Sequence, residues 1–378
     1  MTRLSIHVDG LIYAKQAHGG ISRNFTNLMN ALARRDDTEV HLHLPGKCES
    51  PEALVGVHCH NLPQDINWRP SRFFRRASLS LNAYRTRKYW ASIRDGIFHS
   101  SFYSSPNGVA VPQVLSMQDT IFEDYPELFD LPRHHQHIVD KRLAAERCAG
   151  LVFSSVFAKD RTLALYDIGR RPVLVAAYAI DPLFKGAPVD ADIAAFRSKA
   201  TGGRPYILHV GSRHRHKNVV RLIEAYSRWD GNANFDLLLA GGGELSEDEA
   251  CLVSSLGMEG RVKVIPRMSD ADVVAAYHAA TAMVFPSLSE GFGFPVLEAL
   301  ACACPVACSK AASLPEVGGR FPVYFDPTDI DSILSSLSEL MDSCGDALRW
   351  QQARTAACAR SWDDVAADYM AFYQGLSS

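Results

Sequence analysis

Short apolar runs alternate with amphipathic stretches along most of the chain. Runs such as LSIHV (4–8) and YILHVGS (206–212) predict buried strands, because their apolar residues are continuous and few. Stretches such as ISRNFTNLMNALARR (21–35) and NVVRLIEAYSRW (218–229) carry apolar residues at helical spacing and predict amphipathic helices. Strands that alternate with helices form parallel sheets through βαβ units. The pattern therefore predicts an α/β protein in which this alternation occurs twice.

A segment rich in proline and aspartate, DPLFKGAPVDAD (181–192), separates the two sets of elements and is predicted to be a linker. The chain has 378 residues, more than the roughly 250–300 at which a single core stops growing. We therefore expect an N-terminal domain over 1–183 and a C-terminal domain over 184–360. The apolar, helical segment 361–378 could pack back on the first domain.

Composition excludes several classes of protein. A net charge of −3 argues against nucleic acid as a partner. No apolar stretch approaches the roughly 20 residues that span a bilayer, and the N-terminus lacks the apolar region of a signal peptide. We therefore expect a cytoplasmic protein. The nine cysteines are an odd number without metal-site spacing, so packed thiols are expected rather than disulfides or a metal site.

The segment PSLSEGFGFPVLEALA (286–301) is predicted to run from the end of a strand into a helix. Glycines at such a turn let the backbone approach a phosphate, and the helix N-terminus offers unpaired N–H groups. Glu290 and Glu298 flank this anion site, which suits a ligand with both phosphate and hydroxyl groups, such as a nucleotide sugar. A helix start with acidic residues that only balance the helix dipole is the alternative.

A second candidate site is the basic loop in HVGSRHRHKNVV (209–220), where a strand ends in Gly211. Cations at this position can clamp a diphosphate and stabilise it as a leaving group. A solvated basic loop is the alternative. The basic side chains are Arg213, His214, Arg215, His216 and Lys217.

Three D-x-D pairs have the form of metal motifs. Each precedes a predicted helix, where aspartate is favoured as a cap, so we expect no metal. The pairs are Asp190/Asp192, Asp270/Asp272 and Asp329/Asp331.

The segment 67–94 combines eight arginine or lysine residues with aromatic residues and has no acidic residue. Such a segment can contact an anionic membrane surface or a lipid-pyrophosphate acceptor. A solvated helix face with extended arginine side chains is the alternative.

The sequence EGFGFPVLEA, with its E-x7-E spacing from Glu290 to Glu298, closely resembles the retaining glycosyltransferase family 4 of the GT-B fold. The segment PVACS…SLPEVGG (305–319) is also similar to that family, which includes bacterial mannosyltransferases of surface polysaccharide and O-antigen synthesis. The resemblance is strongest over 205–327. It implies two Rossmann-like domains with parallel sheets that face a central cleft.

The resemblance also implies roles for individual residues. Glu290 would lie beside the donor sugar, and Glu298 would hold the ribose hydroxyls. The implied catalytic residues are Glu290, Lys217, Arg213 and Asp119. The implied donor-binding residues are Gly19, Gly20, Gly211, Arg215, His216, Met268, Gly291, Phe292, Gly293 and Glu298. Gln118 and Arg23 are implied on the acceptor side.

Two positions depart from the family pattern. His216 stands where arginine is usual in the G-x4-R-K-N loop, so Arg213 or Arg215 would supply the guanidinium. Gln118 stands where histidine is usual, and a glutamine cannot shuttle a proton at neutral pH.

The resemblance implies a metal-independent retaining transfer without a cofactor. The expected donor is a GDP- or UDP-sugar, with GDP-mannose the best guess, and the acceptor is a glycan or lipid-pyrophosphate-linked glycan. The alternatives are a nucleotide-sugar 2-epimerase-like enzyme and a non-catalytic subunit that binds sugar nucleotides. A Rossmann dehydrogenase is disfavoured because no G-x-G-x-x-G follows the first strand.

Overall fold

The structure, a computed structural model, describes residues 3–16, 19–46, 48–63, 72–129, 131–186 and 188–377, with the backbone only at 72–79 and 131–133. The chain divides into two compact units. The first unit consists of Met1–Gln118, Asp130–Tyr178 and Ser361–Ser378. The second unit consists of Asp119–Phe129 and Ala179–Arg360.

Each unit contains one parallel sheet. The strands, in chain order, are β1 Leu4–Asp9, β2 Thr38–Leu44, β3 His58–Asn61, β4 Ile97–Ser100, β5 Gln113–Met117, β6 Gly150–Phe153, β7 Val173–Val175, β8 Tyr206–Val210, β9 Asp236–Ala240, β10 Val262–Ile265, β11 Ala282–Phe285, β12 Val306–Ser309 and β13 Val323–Phe325. The first sheet has the order β3-β2-β1-β4-β5-β6-β7, and the second has the order β10-β9-β8-β11-β12-β13. The predicted α/β class with two parallel sheets is confirmed.

Helices lie between most pairs of consecutive strands, the usual connection between parallel strands. In chain order they are α1 Leu11–Lys15, α2 Gly20–Ala33, α3 Arg72–Trp90, α4 Ile121–Asp124, α5 Leu131–Arg147, α6 Val156–Leu165, α7 Asp190–Thr201, α8 Val219–Arg228, α9 Glu247–Ser255, α10 Asp270–Ala279, α11 Phe294–Ala301, α12 Leu314–Gly318, α13 Ile330–Ser343, α14 Ala347–Cys358 and α15 Trp362–Ser377. In the described part of the chain, no helix is both long enough and apolar enough to cross a membrane.

The second sheet is buried on both faces. Every residue of β8, β9, β11 and β12 is buried. Strands that are covered on both faces have continuous apolar sequences. For this reason the apolar run at 206–212 predicted strand β8. Strand β3 was not predicted, because all four of its residues, HCHN, are exposed and polar at the edge of the first sheet.

The C-terminal helix α15 belongs to the first unit and packs on α2. Arg34 Nη2 lies 2.5 Å from Asp363 Oδ1. The hydroxyl of Tyr373 is 2.5 Å from His99 Nδ1, and both side chains are buried. These contacts tie the last helix to the body of the first sheet.

The three D-x-D pairs lie at helix starts, but only one of them provides a cap. Asp329 Oδ1 accepts a hydrogen bond from the backbone N–H of Asp331 at 3.0 Å. Helix α10 is capped by Ser269 rather than by Asp270, and Asp272 completes its capping box. Helix α7 begins after Val189 without a side-chain cap, and its two aspartates lie in the first turn, where the dipole favours them. Among the described residues, no group of three or more potential metal ligands could hold an ion.

Candidate active site

Loops at the carboxyl ends of strands β8, β9 and β11 carry most of the residues that the sequence analysis identified. In open parallel sheets, ligands bind at this edge. The three loops are 211–218, 241–246 and 286–293. All of them belong to the second unit.

Lys217 and Glu290, which are 73 positions apart in the sequence, form an ion pair. Lys217 Nζ lies 2.6 Å from Glu290 Oε1, and the two side chains are 17% and 10% exposed. The ammonium also lies 5.5 Å from the centre of the Phe285 ring. Charges removed from water to this degree are costly unless they are paired. The structure thus brings together two residues that were predicted to be catalytic from separate motifs.

Asn218 locks the basic loop to its neighbours. Its backbone has φ 62°, a left-handed conformation that asparagine tolerates better than most residues. Its side-chain amide donates to Pro286 O at 3.0 Å and to Pro327 O at 2.7 Å. Leu288 N donates to His216 O at 2.8 Å, which joins the same two loops. The position of Lys217 is therefore set by bonds on both sides of it.

The loop from Glu290 to Gly293 is shaped by one glycine and one serine. Gly293 has φ +103°, and a Cβ there would lie 2.4 Å from Leu314 Cδ2, so a larger residue would strain the backbone and displace the Leu314 side chain. The buried hydroxyl of Ser313 lies 2.9 Å from both Glu290 O and Phe292 O. Helix α11 starts directly after this loop with Pro295 in its first turn, where the missing N–H costs nothing. The N-terminus of α11 is thus held beside Glu290.

Glu298 projects from α11 and meets a residue that the sequence analysis missed. The hydroxyl of Tyr277 donates to Glu298 Oε2 at 2.8 Å. Tyr277 lies in the apolar helix DADVVAAYHA and is only 1% exposed, so its pattern indicates a core position. A buried tyrosine hydroxyl usually has a hydrogen-bond partner, and this was the only signal available in the sequence.

Arg213, one of the two arginines expected to contact the diphosphate, is bonded to other groups of the second unit. Its guanidinium is 4% exposed and forms an ion pair with Glu249 at 3.1 Å. It also donates to Gly241 O at 2.7 Å and to Gly243 O at 2.9 Å. These bonds hold the glycine loop 241–243, whose three residues all have positive φ. Most N–H groups of the Arg213 guanidinium are thus bonded to this loop and to Glu249. Arg215, the other arginine of the basic loop, is exposed.

His216 does not replace the charge of the arginine that is usual at its position. It is 8% exposed, and burial, followed by the charge of Lys217, lowers its pKa to about 4. The ring is therefore neutral at neutral pH. It lies 5.7 Å from the Phe129 ring, and within the described residues its Nδ1 has no hydrogen-bond partner. His216 can offer a hydrogen bond, but not a permanent positive charge.

The other predicted residues of the second unit lie at strand ends or loop starts. Gly211 follows β8 with φ +130°. Met268 is half-buried in the loop after β10, next to the Ser269 cap. Asp119 Oδ1 accepts from Ile121 N at 3.1 Å at the start of α4, and its charge acts to raise the pKa of His216.

Four predicted residues belong to the first unit. Gly19 precedes α2 and its N–H donates to Ser22 Oγ at 3.1 Å, while Gly20 and Arg23 lie in the first turn of that helix. Gln118 follows β5 and is 7% exposed. Its Oε1 accepts from Tyr178 at 3.1 Å, and its Nε2 has no hydrogen-bond partner among the described residues.

The first unit also holds a cavity of about 630 Å³ that the sequence did not predict. At one side lies the buried carboxylate of Asp9, which accepts from Ser101 Oγ at 2.5 Å and from Ser104 Oγ. Burial raises the pKa of Asp9. Aromatic, histidine and basic side chains complete the wall, including Trp90, Phe102, Tyr103, His43, His137 and Arg147.

Five histidines on strands β1, β2 and β3 form a stacked cluster, which we call the histidine ladder: His7, His41, His43, His58 and His60. His7 Nδ1 lies 3.1 Å from His43 Nε2, and His43 Nδ1 lies 2.7 Å from the Tyr89 hydroxyl. The pKa is lowered to about 4 for His7 and about 3 for His43, mainly by burial.

A comparison with known proteins matches a range that lies in the second unit. Residues 190–356 match the family model described as "Glycosyl transferases group 1". The chain is 26% identical over 318 residues to the O-antigen chain mannosyltransferase B of Escherichia coli, covering 80% of this chain and 82% of that protein. It is 28% identical over 243 residues to the MMP alpha-(1->4)-mannosyltransferase of Mycolicibacterium hassiacum, covering 62% of this chain and 56% of that protein.

Among solved structures, the Anabaena protein Alr3699/HepE in complex with UDP-glucose superposes with a TM-score of 0.71 at 16% identity. The alignment covers 99% of this chain and 100% of that one. At this identity the match establishes the fold. The family match over the second unit, the relatives and the fold agree with the sequence resemblance. The chain is a glycosyltransferase of the GT-B fold with a glycosyl transferases group 1 domain at residues 190–356, and it is similar to bacterial mannosyltransferases.

Proposed function

We propose that this enzyme transfers a mannosyl unit from GDP-mannose, with retention of configuration, to a glycan or lipid-linked glycan in polysaccharide synthesis. The observation that carries the proposal is the ion pair between Lys217 and Glu290, 2.6 Å apart, beside the start of α11. A cation and a helix N-terminus favour the diphosphate of a nucleotide sugar. The carboxylate on the other side of the pair suits a sugar that develops positive charge.

Transfer then proceeds by electrostatic stabilisation. The bond between the anomeric carbon and the phosphate oxygen breaks, and a bond to the acceptor oxygen forms on the same face of the sugar. The acceptor's proton passes to the leaving phosphate oxygen, so no side-chain nucleophile is needed. Lys217, Arg215 and the amides of Gly291 and Gly293 stabilise the charge of the departing diphosphate.

The two glutamates have separate roles in this proposal. Glu290 acts near the sugar, because its charge is held by Lys217 and its backbone by Ser313. Glu298 accepts hydrogen bonds from the ribose hydroxyls. An interaction that strengthens in the transition state raises kcat, whereas one made equally before and during the reaction lowers KM.

We assign the donor to the second domain (184–360) and the acceptor to the first (1–183). Gln118, Arg23 and the Gly19–Gly20 turn are the acceptor-side groups of the first domain. The buried amide of Gln118, anchored through Oε1 to Tyr178, can offer Nε2 as a donor to a sugar oxygen. Met268 is assigned to the nucleotide base.

The choice of mannose is supported by the two mannosyltransferase relatives.

The decisive test is a thermal-shift screen against GDP-mannose, UDP-glucose and other nucleotide sugars, because a ligand that binds only the native state raises Tm. Incubation of the selected donor with a glycan acceptor follows, and NMR of the product reads the anomeric configuration. A stabilising UDP-sugar would overturn GDP-mannose, and an inverted product would overturn retention. Release of a free epimer without an acceptor would favour the 2-epimerase-like alternative.

We further propose that the basic segment 67–94 contacts an anionic membrane surface from the cytoplasmic side. In its described part, Tyr84 is 62% exposed, and Arg87 and Lys88 are also exposed. Each basic residue near such a surface contributes about 1 kcal/mol. The double variant Arg87→Glu/Lys88→Glu should therefore bind phosphatidylserine liposomes more weakly. The matched control is Arg170→Glu/Arg228→Glu, in which two other exposed arginines are reversed. Equal loss in both variants would contradict a specific surface.

A further inference from the structure

Tyr277 and Glu298 form a hydrogen bond that joins two helices of the second unit. Tyr277 lies on α10 and Glu298 on α11. The phenol oxygen is 2.8 Å from Glu298 Oε2. The hydrogen bond is partly buried, and the Phe184 ring lies 5.9 Å from the Tyr277 ring. A polar bond in such surroundings is stronger than the same bond in water.

The direction of this bond is fixed by burial. Tyr277 is 1% exposed, and burial together with the charge of Glu298 raises its pKa well above the ordinary value of 10.0. The phenol therefore keeps its proton and remains the donor, and the carboxylate remains the acceptor. Deprotonation at working pH does not interrupt the contact.

The ring of Tyr277 is itself held in place. Its helix ends two residues later, where Arg197 Nη2 donates to Ala279 O at 2.6 Å. The ring packs on Phe184 from the segment that precedes α7. A donor supported in this way can fix a glutamate side chain, which would otherwise retain several rotamers.

We propose that Tyr277 is a positioning residue that holds the Glu298 carboxylate in the orientation that binds the ribose hydroxyls of the donor nucleotide. This inference rests on the proposed function and extends it to a residue outside the recognised motifs. A carboxylate that is already oriented loses less conformational freedom when the ligand binds. The contribution of Tyr277 must therefore appear only for ligands that carry the ribose hydroxyls.

The test is calorimetry of Tyr277→Phe with GDP and with 2′,3′-dideoxy-GDP. Phenylalanine retains the ring and removes only the hydroxyl. Hydrogen bonds to charged groups contribute about 1.5–3 kcal/mol, so GDP should bind about 10-fold or more weakly to the variant. The dideoxy nucleotide should bind the variant and the wild type equally. In a Glu298→Ala background, Tyr277→Phe should cause no further loss.

Tyr226→Phe is the matched control. Tyr226 is also buried in the second unit, and its hydroxyl donates to Phe235 O at 2.7 Å, so the variant loses a buried hydrogen bond without touching Glu298. Its affinity for GDP should equal that of the wild type. The Tm of both variants reports any general loss of structure.

Two outcomes would overturn the inference while leaving the proposed function in place. The first is unchanged affinity of Tyr277→Phe for GDP. The second is an equal loss for GDP and dideoxy-GDP, which would indicate loosened packing rather than positioning. Wild-type protein that binds neither GDP nor UDP would contradict the proposed function, and the role of Tyr277 with it.

Discussion

The two units use different chemistry at their polar sites. The second unit places opposite charges against each other, as in Lys217–Glu290 and Arg213–Glu249. The buried polar groups of the first unit bond instead to partners without an opposite charge, as in His7–His43, in the contact of Gln118 with Tyr178 and in that of Asp9 with Ser101. A charged pair can exchange partners when an anion arrives, whereas a neutral network suits hydroxyl groups. This difference fits the proposal that the second unit binds a diphosphate donor and the first unit a sugar acceptor.

The largest effect that this comparison predicts is on Lys217. Lys217→Ala removes the ammonium proposed to face the diphosphate and leaves Glu290, whose side chain is 10% exposed, without its counter-ion. Loss of one preorganised electrostatic donor lowers turnover by about 10²–10³-fold. Single-turnover kinetics with the donor identified by thermal shift measures the effect.

Lys199→Ala is the control for Lys217. Lys199 is a lysine of the same unit, 66% exposed, whose Nζ lies 3.7 Å from Asp272. Exposed pairs of this kind contribute little, so turnover should stay at the wild-type rate. A near wild-type rate for Lys217→Ala would contradict a catalytic role for the charged pair of the second unit, because the pair would then have only a structural role.

A smaller effect is expected at Glu290. Glu290→Gln removes the carboxylate charge and retains the size of the side chain, so we expect kcat to fall and KM for the donor to change little. Contacts with charged groups contribute about 1.5–3 kcal/mol, which corresponds to about 10–100-fold in rate. Steady-state kinetics and GDP calorimetry of the same variant separate the two constants. Loss of GDP binding with unchanged kcat would reverse the roles of Glu290 and Glu298.

The sequence predicted the second unit better than the first for a physical reason. Glu290, Gly293 and Glu298 lie within nine consecutive positions, so local spacing alone places them on one turn and helix. The proximity of Lys217 and Glu290 could be predicted, because both residues follow buried parallel strands and the carboxyl ends of such strands lie at the same edge of the sheet. The sequence analysis missed Tyr277, because a tyrosine within an apolar helix is predicted to be a core residue. Its hydrogen bond to Glu298 depends on how two helices pack, which the sequence pattern does not indicate.

The histidine ladder of the first unit could not be predicted from the spacing of residues along the sequence. His7, His41 and His58 meet only because β1 pairs with β2 and β2 pairs with β3 in one register. Strand β3 has no apolar pattern, so neither the strand nor its register was predictable. The role of Arg213 was equally hidden, because its partners Gly241 and Glu249 come from a different loop and helix.

The ladder predicts that stability falls in weak acid. The folded pKa of His7 is about 4, below the ordinary 6.5 that applies in the unfolded chain. Between these values the unfolded state binds more protons, so stability is full above about pH 6.5 and declines as the pH falls toward 4. The groups that face this ring are His41, His43, His60 and Asp95, and Asp95 alone opposes the shift.

Urea unfolding between pH 7.5 and 5 measures this dependence. His7→Gln should reduce the slope of unfolding free energy against pH by up to one proton, about 1.4 kcal/mol per pH unit. His58→Gln is the control, because its side chain is 59% exposed. An identical slope in wild type and His7→Gln would show that the buried ladder does not take up protons on unfolding, and the contrast between the two units would weaken.

The smallest expected effect is that of chelation, for which we predict no change in rate. If the second unit balances the diphosphate with Lys217, Arg215 and the start of α11, a divalent cation has no charge left to neutralise. Two carboxylates of the motifs that resemble metal sites form helix caps instead. Asp329 is the N-cap of α13, and Asp272 completes the capping box at the start of α10. Turnover in excess EDTA should therefore equal turnover in Mg²⁺. Activity that is lost on chelation and restored by Mg²⁺ or Mn²⁺ would show that the protein's own cations are insufficient, and the charged site of the second unit would need an ion to complete it.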